Sequence, residues 1–427
     1  MVNINESFLQ YLWQHRLLEG SFFTTDGQPV SIDHPGFLNR DAGPDFSQAR
    51  IRIGQTLWVG NVEIHIRASD WNRHCHSLNR AFDNVVLHVV YENDSPVTLQ
   101  NGHPLPTLQI KNHIPQPVWD NYTALINPPA PSPVPCADKL PSISPHYIHT
   151  ALERLLLERI EQKCDNVRRL LAASHGDWEQ CAYILLAHYF GGKVNAFPFE
   201  LLAQSTPQTL LARWSDRPVR IEALLMGQAG FLSGYFEDDY PRQLQSDYEA
   251  LRQGAGLNPL SAHMWRFFRL RPYGFPTIRI SQFAQVICRS HNLFSHLLES
   301  TSPLQLRQLF DVAASPYWDN HYRFDAPSPG SPKRLGSSFI DRLIINAWAP
   351  LLYEYGNAHS LQHYKDRAVD VLMQLPPEQN NVLSKWKKAG IDARSAAESQ
   401  ALLQLHQNYC SQHLCLNCQI GYKIITN

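Results

Sequence analysis

Between Asn39 and Asp94 the chain gathers side chains that bind metals and move protons: Asp45, Glu63, His65, His74, His76 and His88. A hard divalent cation takes oxygen ligands, often one or two carboxylates with water and substrate phosphate. Once bound, it lowers the pKa of a water and offsets charge on a scissile phosphate. Asp45, held after Gly43-Pro44, and Glu63-Ile64-His65 on a neighbouring strand would supply that set compactly. The expectation is Mg²⁺ or Mn²⁺ at Asp45, Glu63 and His65, with His88 in support. Imidazole ligands widen the choice to iron or zinc.

Strands must bring these residues together. From Trp58 to Ala68 the even positions are mostly apolar, and the odd ones place Asn61, Glu63, His65 and Arg67 in a row. Successive strand side chains point to opposite faces, so this row shares one face. Ala49–Ile53 reads as a partner strand closed by a Gly54-Gln55 turn. Val85–Tyr91 reads as another strand, with His88 on the face of Val86 and Val90. Upstream, an amphipathic helix is predicted over Glu6–Glu19 with a stop at Gly20, then a strand near Val30–Asp33. His74 and His76 fall in a loop-like run after Asp70-Trp71. Val97–Leu99 and Thr107–Ile110 read as a hairpin around Asn101-Gly102.

Gly43-Pro44-Asp45 followed by Glu63-x-His65 resembles the motifs of the PD-(D/E)xK nuclease superfamily. Its αβββαβ core carries an Asp at one strand and Glu-x-Lys on the next. The resemblance implies an α+β fold with a restriction-endonuclease-like N-terminal domain, and metal-dependent phosphodiester hydrolysis on DNA or RNA. His65 stands where that superfamily has a lysine that positions or activates water. An imidazole there can ligate metal, orient water, or mark an inactive adaptor that binds nucleic acid or protein. A further alternative is a histidine-rich metal hydrolase built on His65, His74, His76 and His88. Over nearly its whole length the chain also resembles a bacterial family catalogued only as a domain of unknown function. GPDF, VEIH, LHVVYE, AGFL, RLRPYGFPTIRI and the C-terminal cysteines carry that likeness, which implies no activity.

The 427 residues, 44% apolar and 18% charged, suit a globular chain of two or three domains rather than a disordered one. No run of about 18 apolar residues suggests a membrane span, and the amphipathic start does not read as a signal peptide. A cytoplasmic protein with reduced or metal-bound thiols is expected. The net charge of −1 leaves no global footprint for nucleic acid. Acidic side chains outnumber basic ones in residues 1–126, and the remainder leans the other way.

Asn127–Pro145 is a proline-rich linker or strap, and it includes Cys136. It separates residues 1–126, the nuclease-like part, from a larger all-α domain over 146–409. Within that domain, Trp265–Ile280 interleaves Arg266, Arg269, Arg271 and Arg279 with aromatic residues, a pattern suited to phosphates and bases. Ser395-x-x-Glu398 opens a last helix as a capping box. Residues 410–427 form a knuckle and tail: Cys410, Cys415 and Cys418 spaced C-x4-C-x2-C, then a strand-like Ile420–Ile425. A structural zinc ion or iron–sulfur cluster needs a fourth ligand. Cys136, His406 and His413 are the candidates. Some nucleases of the resembled superfamily hold an iron–sulfur cluster with one upstream and three downstream cysteines, a layout Cys136 and these three would imitate with different spacing.

Overall fold

The computed structural model describes residues 4–127, 132–290 and 292–427, so residues 128–131 of the strap lie outside the described residues. The chain is α+β, with an N-terminal sheet and a mostly helical remainder. It forms two compact units. The first holds Met1–Ala151, Lys385–Ile391 and Leu405–Asn427; the second holds Leu152–Ser384 and Asp392–Gln404.

In the first unit, helix α1 spans Glu6–Gln14 and buries Phe8, Leu9, Leu12 and Trp13. Each such side chain contributes roughly 1.5–3 kcal/mol when fully buried. Asn5 caps the helix by accepting from the Phe8 N–H. The helix stops before the expected Glu19, because Arg16 takes a left-handed φ of 53°.

The sheet strands are β1 (Phe22–Phe23), β2 (Pro29–His34), β3 (Phe37–Leu38), β4 (Phe46–Ile53), β5 (Thr56–Arg67), β6 (Val85–Glu92) and β7 (Thr107–Gln109). Their order is β1-β2-β4-β5-β6-β7, with β3 paired to β4. Pairings are antiparallel as far as β4–β5 and parallel for β5–β6 and β6–β7. β7 therefore extends the sheet, and the expected hairpin is reduced to a Thr98–Pro104 bridge. Pairing with a buried strand satisfies more backbone than a local turn does.

The return from β5 to β6 runs through a short helix α2 (Asp70–Arg73) and two 3₁₀ turns, His76–Leu78 and Arg80–Phe82. Trp71 and Phe82 of this segment join Ala68, Val85, Val90, Val97 and Leu105 in one buried cluster. Gly60 of β5 has no room for a side chain, since a Cβ would lie 2.5 Å from Val86 Cγ1. The alternation in β5 is not matched by burial: past Gly60, Val62, Glu63, Ile64 and His65 are all buried. Leu57, Trp58 and Val59 are all exposed at the hairpin end.

Helix α3 (Gln116–Ile126) stacks Tyr122 on Phe8, ring centres 3.7 Å apart. The described part of the strap turns through a 3₁₀ segment, Ala137–Ser142, just after buried Cys136. The C-terminal tail is helical over Gln419–Ile425, not a strand. It buries Ile420, Ile424 and Ile425, a helical spacing that period-two reading misses.

The second unit is helical apart from a two-stranded ribbon at His321–Arg323 and Ala326–Pro327. The helix Trp178–Phe190 is buried nearly all round. Glu222 is fully buried and accepts from Ser281, Ser315 and Trp318. Lys163 donates to Asn346 Oδ1 at 2.9 Å and to Gln400, and Asn346 sits in a π-helical stretch, Ile344–Trp348. Burial, reinforced by Arg159, pushes the Lys163 ammonium down to about 7. Gly230, at φ 81°, follows the end of the helix Pro218–Gln228. Among the described residues no helix is long and apolar enough to cross a membrane.

Candidate metal centre

The register β4–β5 pairs Phe46 with Val62, which sets Asp45 against Glu63 one position on. Each carboxylate then grips the other's strand. Asp45 N–H donates to Glu63 Oε2 at 3.0 Å, and Ile64 N–H donates to Asp45 Oδ2 at 2.9 Å. Gln10 of α1 donates to Asp45 Oδ1 at 2.8 Å. A bulge in β4, with Gln48 at φ 57°, bends the strand where Asp45 enters it.

The parallel pairing aligns Glu63 with His88. His65 Nδ1 lies 2.9 Å from His88 Nε2, and His65 Nε2 lies 3.2 Å from His74 Nδ1. Glu63 Oε1 is 3.5 Å from His65 Nε2 and 3.3 Å from His76 Nε2. His65, His74 and His76 each offer a ligand nitrogen within 4.8 Å of the others. His76 is wedged in place by Phe82, ring centres 3.9 Å apart, and by Trp71. The cluster runs from exposed His74, through half-buried His76, to Glu63, His65 and His88 at 5%, 2% and 0% exposure. It thus opens to solvent on the His74 side.

Burial governs the charges. It pushes the Asp45 carboxyl up to about 6, partly opposed by the Ile64 N–H. Burial and the Asp45 charge push Glu63 up to about 8. Burial and the neighbouring imidazoles push His65 down to about 2, His88 to about 3 and His76 to about 4. All three imidazoles are neutral at pH 7, the form that ligates metal. His76 Nε2 and His88 Nδ1 are buried without a hydrogen-bond partner among the described residues. The nitrogens of His65, His74 and His76, with Glu63 Oε1 within 3.5 Å of two of those rings, form a donor set that fits a divalent cation.

The structure therefore brings together Asp45, Glu63, His65 and His88. It adds His74 and His76 to the same cluster, and Gln10 beside it. Glu6 is also near enough for its carboxyl to feel His74 and Asp70.

Three of the four candidate arginines of the second unit are exposed and one is half-buried. Asn195 holds the Arg266 backbone through two 2.8 Å bonds, leaving that side chain exposed. Arg269, at φ 62°, and Arg271 are also exposed. Arg279 differs: it lies in the helix Pro276–Arg289, 3.6 Å from the Phe339 ring centre, and donates to Gln282 at 3.0 Å. It is half-buried and its charge is engaged within the second unit.

Cys136, Cys410, Cys415 and Cys418 line one cavity of the first unit. Neither His406 nor His413 lines it. Burial and neighbouring thiols push Cys136 up to about 12 and Cys415 up to about 11.

An α+β protein with an acid–imidazole cluster across adjacent strands is the class these observations define. The chain belongs to the family described as "Protein of unknown function (DUF2851)", which matches residues 6–381. The match includes the cluster and leaves out Cys410, Cys415 and Cys418. No curated protein and no solved structure matches the chain significantly.

Proposed function

We propose that the chain is a metal-dependent phosphodiesterase acting on DNA or RNA. The observation that carries this reading is the interlocked Asp45–Glu63 pair, with Glu63 Oε1 within 3.5 Å of two imidazole nitrogens. The order of elements supports it: a helix, five strands β1 to β5 in antiparallel pairings, a short helical crossover and the parallel strand β6. That order, with the acids at the centre of the sheet, is what the PD-(D/E)xK resemblance leads one to expect.

Asp45, Glu63, His65 and His76 are the residues that would hold the cation, with His74 at the open side. Bound there, the cation would supply an activated water and offset charge on the phosphate. An imidazole held as low as His65 is a poor proton acceptor, so His65 serves as a ligand rather than as the base. For Nε2 to ligate, the proton must sit on Nδ1 and be donated to His88 Nε2, which makes His88 a positioning residue. Three imidazoles move the preferred metal from Mg²⁺ toward Mn²⁺, Fe²⁺ or Zn²⁺. Exposed Arg67, Arg73 and Arg80 lie on β5 and the crossover, where they can meet phosphates.

The test is cleavage of single- and double-stranded DNA and RNA with each metal. Asp45→Asn and Glu63→Gln are expected to lower the rate at least ~100-fold, as loss of a transition-state charge partner does. Cleavage surviving in both variants rejects the reading. Replacement of the usual lysine by His65 supports one rival, an adaptor; binding without turnover under every metal would establish it.

A further inference from the structure

We propose that Cys136, Cys410, Cys415 and Cys418 bind a thiolate-ligated metal centre, a zinc ion or an iron–sulfur cluster, that fastens the C-terminal tail to the strap. The site is separate from the acid–imidazole cluster and does not depend on its function.

Three separate segments deliver the sulfurs. Cys136 precedes the 3₁₀ turn of the strap. Cys410 begins a second 3₁₀ turn after the helix Ala396–Asn408, and Cys415 begins a third, with Cys418 directly after it. His413, at φ 54°, lets the chain reverse between these last two turns. The tail helix packs directly on the cysteine turn: a Cβ on Gly421 would lie 2.1 Å from the Cys415 carbonyl oxygen. Such close packing fixes the backbone of the cysteine turn against the tail helix.

The four cysteines line one small cavity of the first unit. Leu125, Trp386, Leu405 and Ile420 complete much of its wall, each fully or almost fully buried. Among the described residues no acid and no imidazole lines it. Sulfur donors in an apolar setting select thiophilic metals, whereas Mg²⁺ and Ca²⁺ require oxygen.

A second observation points to the same occupant. Trp386 is 0% exposed and its indole N–H has no hydrogen-bond partner among the described residues. A buried donor left unpaired carries the cost of its lost hydration. Metal-bound thiolates carry negative charge and accept N–H bonds, and hydrogen bonds to sulfur are a normal part of iron–sulfur sites. A thiolate centre at this place would satisfy the donor that the protein alone leaves open.

Zinc takes four sulfurs at about 2.3 Å in a tetrahedron; a cluster places the same four thiolates around a larger core. Metal content separates the two. The full chain is purified with and without oxygen, and iron, zinc and acid-labile sulfide are measured per chain alongside visible absorption. The expected result is about one centre per chain. Iron with sulfide and visible absorption identifies a cluster, and zinc without either identifies the single ion. Cys136→Ser and Cys410→Ser should each lose most of this metal. Cys288→Ala, at a thiol outside the site, should retain it. Asp45→Asn should also retain it, which separates this metal from any at the acid–imidazole cluster. Should a cysteine variant fail to fold, the wild-type measurement still decides. Wild-type protein that holds no zinc or iron beyond the amount lost in Asp45→Asn, even after anaerobic reconstitution, overturns the proposal. So does metal content unchanged in folded Cys136→Ser and Cys410→Ser.

Discussion

Replacing Glu63 by Gln is expected to stabilise the metal-free protein while removing its response to metal. Gln has the shape of Glu and keeps its main bond, since its Oε1 can accept from the Asp45 N–H that now reaches Glu63 Oε2 at 3.0 Å. Its amide would face the neutral His65 and His76 nitrogens, 3.5 and 3.3 Å from Glu63 Oε1, which can accept from it. What disappears is a charge that burial and Asp45 oppose, the cause of the shift of Glu63 from 4.5 to about 8.

The sign follows from proton binding. Between pH 4.5 and 8 the folded chain binds more protons at Glu63 than the unfolded chain does, so wild-type stability falls as pH rises through that window. At about 1.4 kcal/mol per unit, the cost at pH 7 is bounded near ~3 kcal/mol. The two acids titrate as a pair, so about 1–2 kcal/mol is expected for Glu63→Gln. Urea unfolding of wild type and variant from about pH 5 to 8 measures it, with the gap widening as pH rises. With Mn²⁺ or Zn²⁺ at ~100 times its dissociation constant, wild type should gain about 2.7 kcal/mol and the variant little. A Glu63→Gln protein less stable than wild type at neutral pH, or a gap that does not close on acidification, would refute the electrostatic account. Glu63 would then be an ordinary structural residue.

Lys163 makes an opposite pH prediction in the second unit. Its value lies below the ordinary 10.5, so the unfolded chain binds the extra proton between about 7 and 10.5, and stability rises with pH there by up to about 1.4 kcal/mol per unit. Below that window both states are protonated and the penalty is complete; Lys163→Met should remove the rise, seen as the difference between variant and wild type in unfolding at roughly pH 7.5 and 9. Arg279→Ala should cost about 1–2 kcal/mol through loss of its contact with Phe339, without changing the salt dependence of any nucleic-acid binding. A change in that salt slope would place Arg279 on the contact surface.

The strands of the site were legible because their cause is local. Period-two alternation around Glu63 and the turn at Gly54-Gln55 locate β4 and β5 within a few residues. The capping box was legible for the same reason, and Ser395 does accept from the Glu398 N–H at 3.2 Å. Short apolar runs misled: Ile420–Ile425 fits either period, and packing on Cys415 selects the helix. Thr107–Gln109 has strand character, but its partner is β6 rather than the adjacent Val97–Leu99 run. Partner choice depends on which buried edge is free, and nothing within a few residues records that.

By itself, the amino-acid order determined which chemistry was available: two acids, a set of imidazoles near them, and four thiols far apart in the chain. It also set the faces on which Glu63, His65 and His88 stand, because side-chain direction along a strand follows from backbone geometry. Only the tertiary structure decided that Asp45 and Glu63 exchange backbone bonds, that the crossover folds His74 and His76 onto His65, and that Cys136 meets the three C-terminal cysteines. Sheet register and close packing act between residues remote in sequence, and their outcome is settled by burial summed over the whole unit.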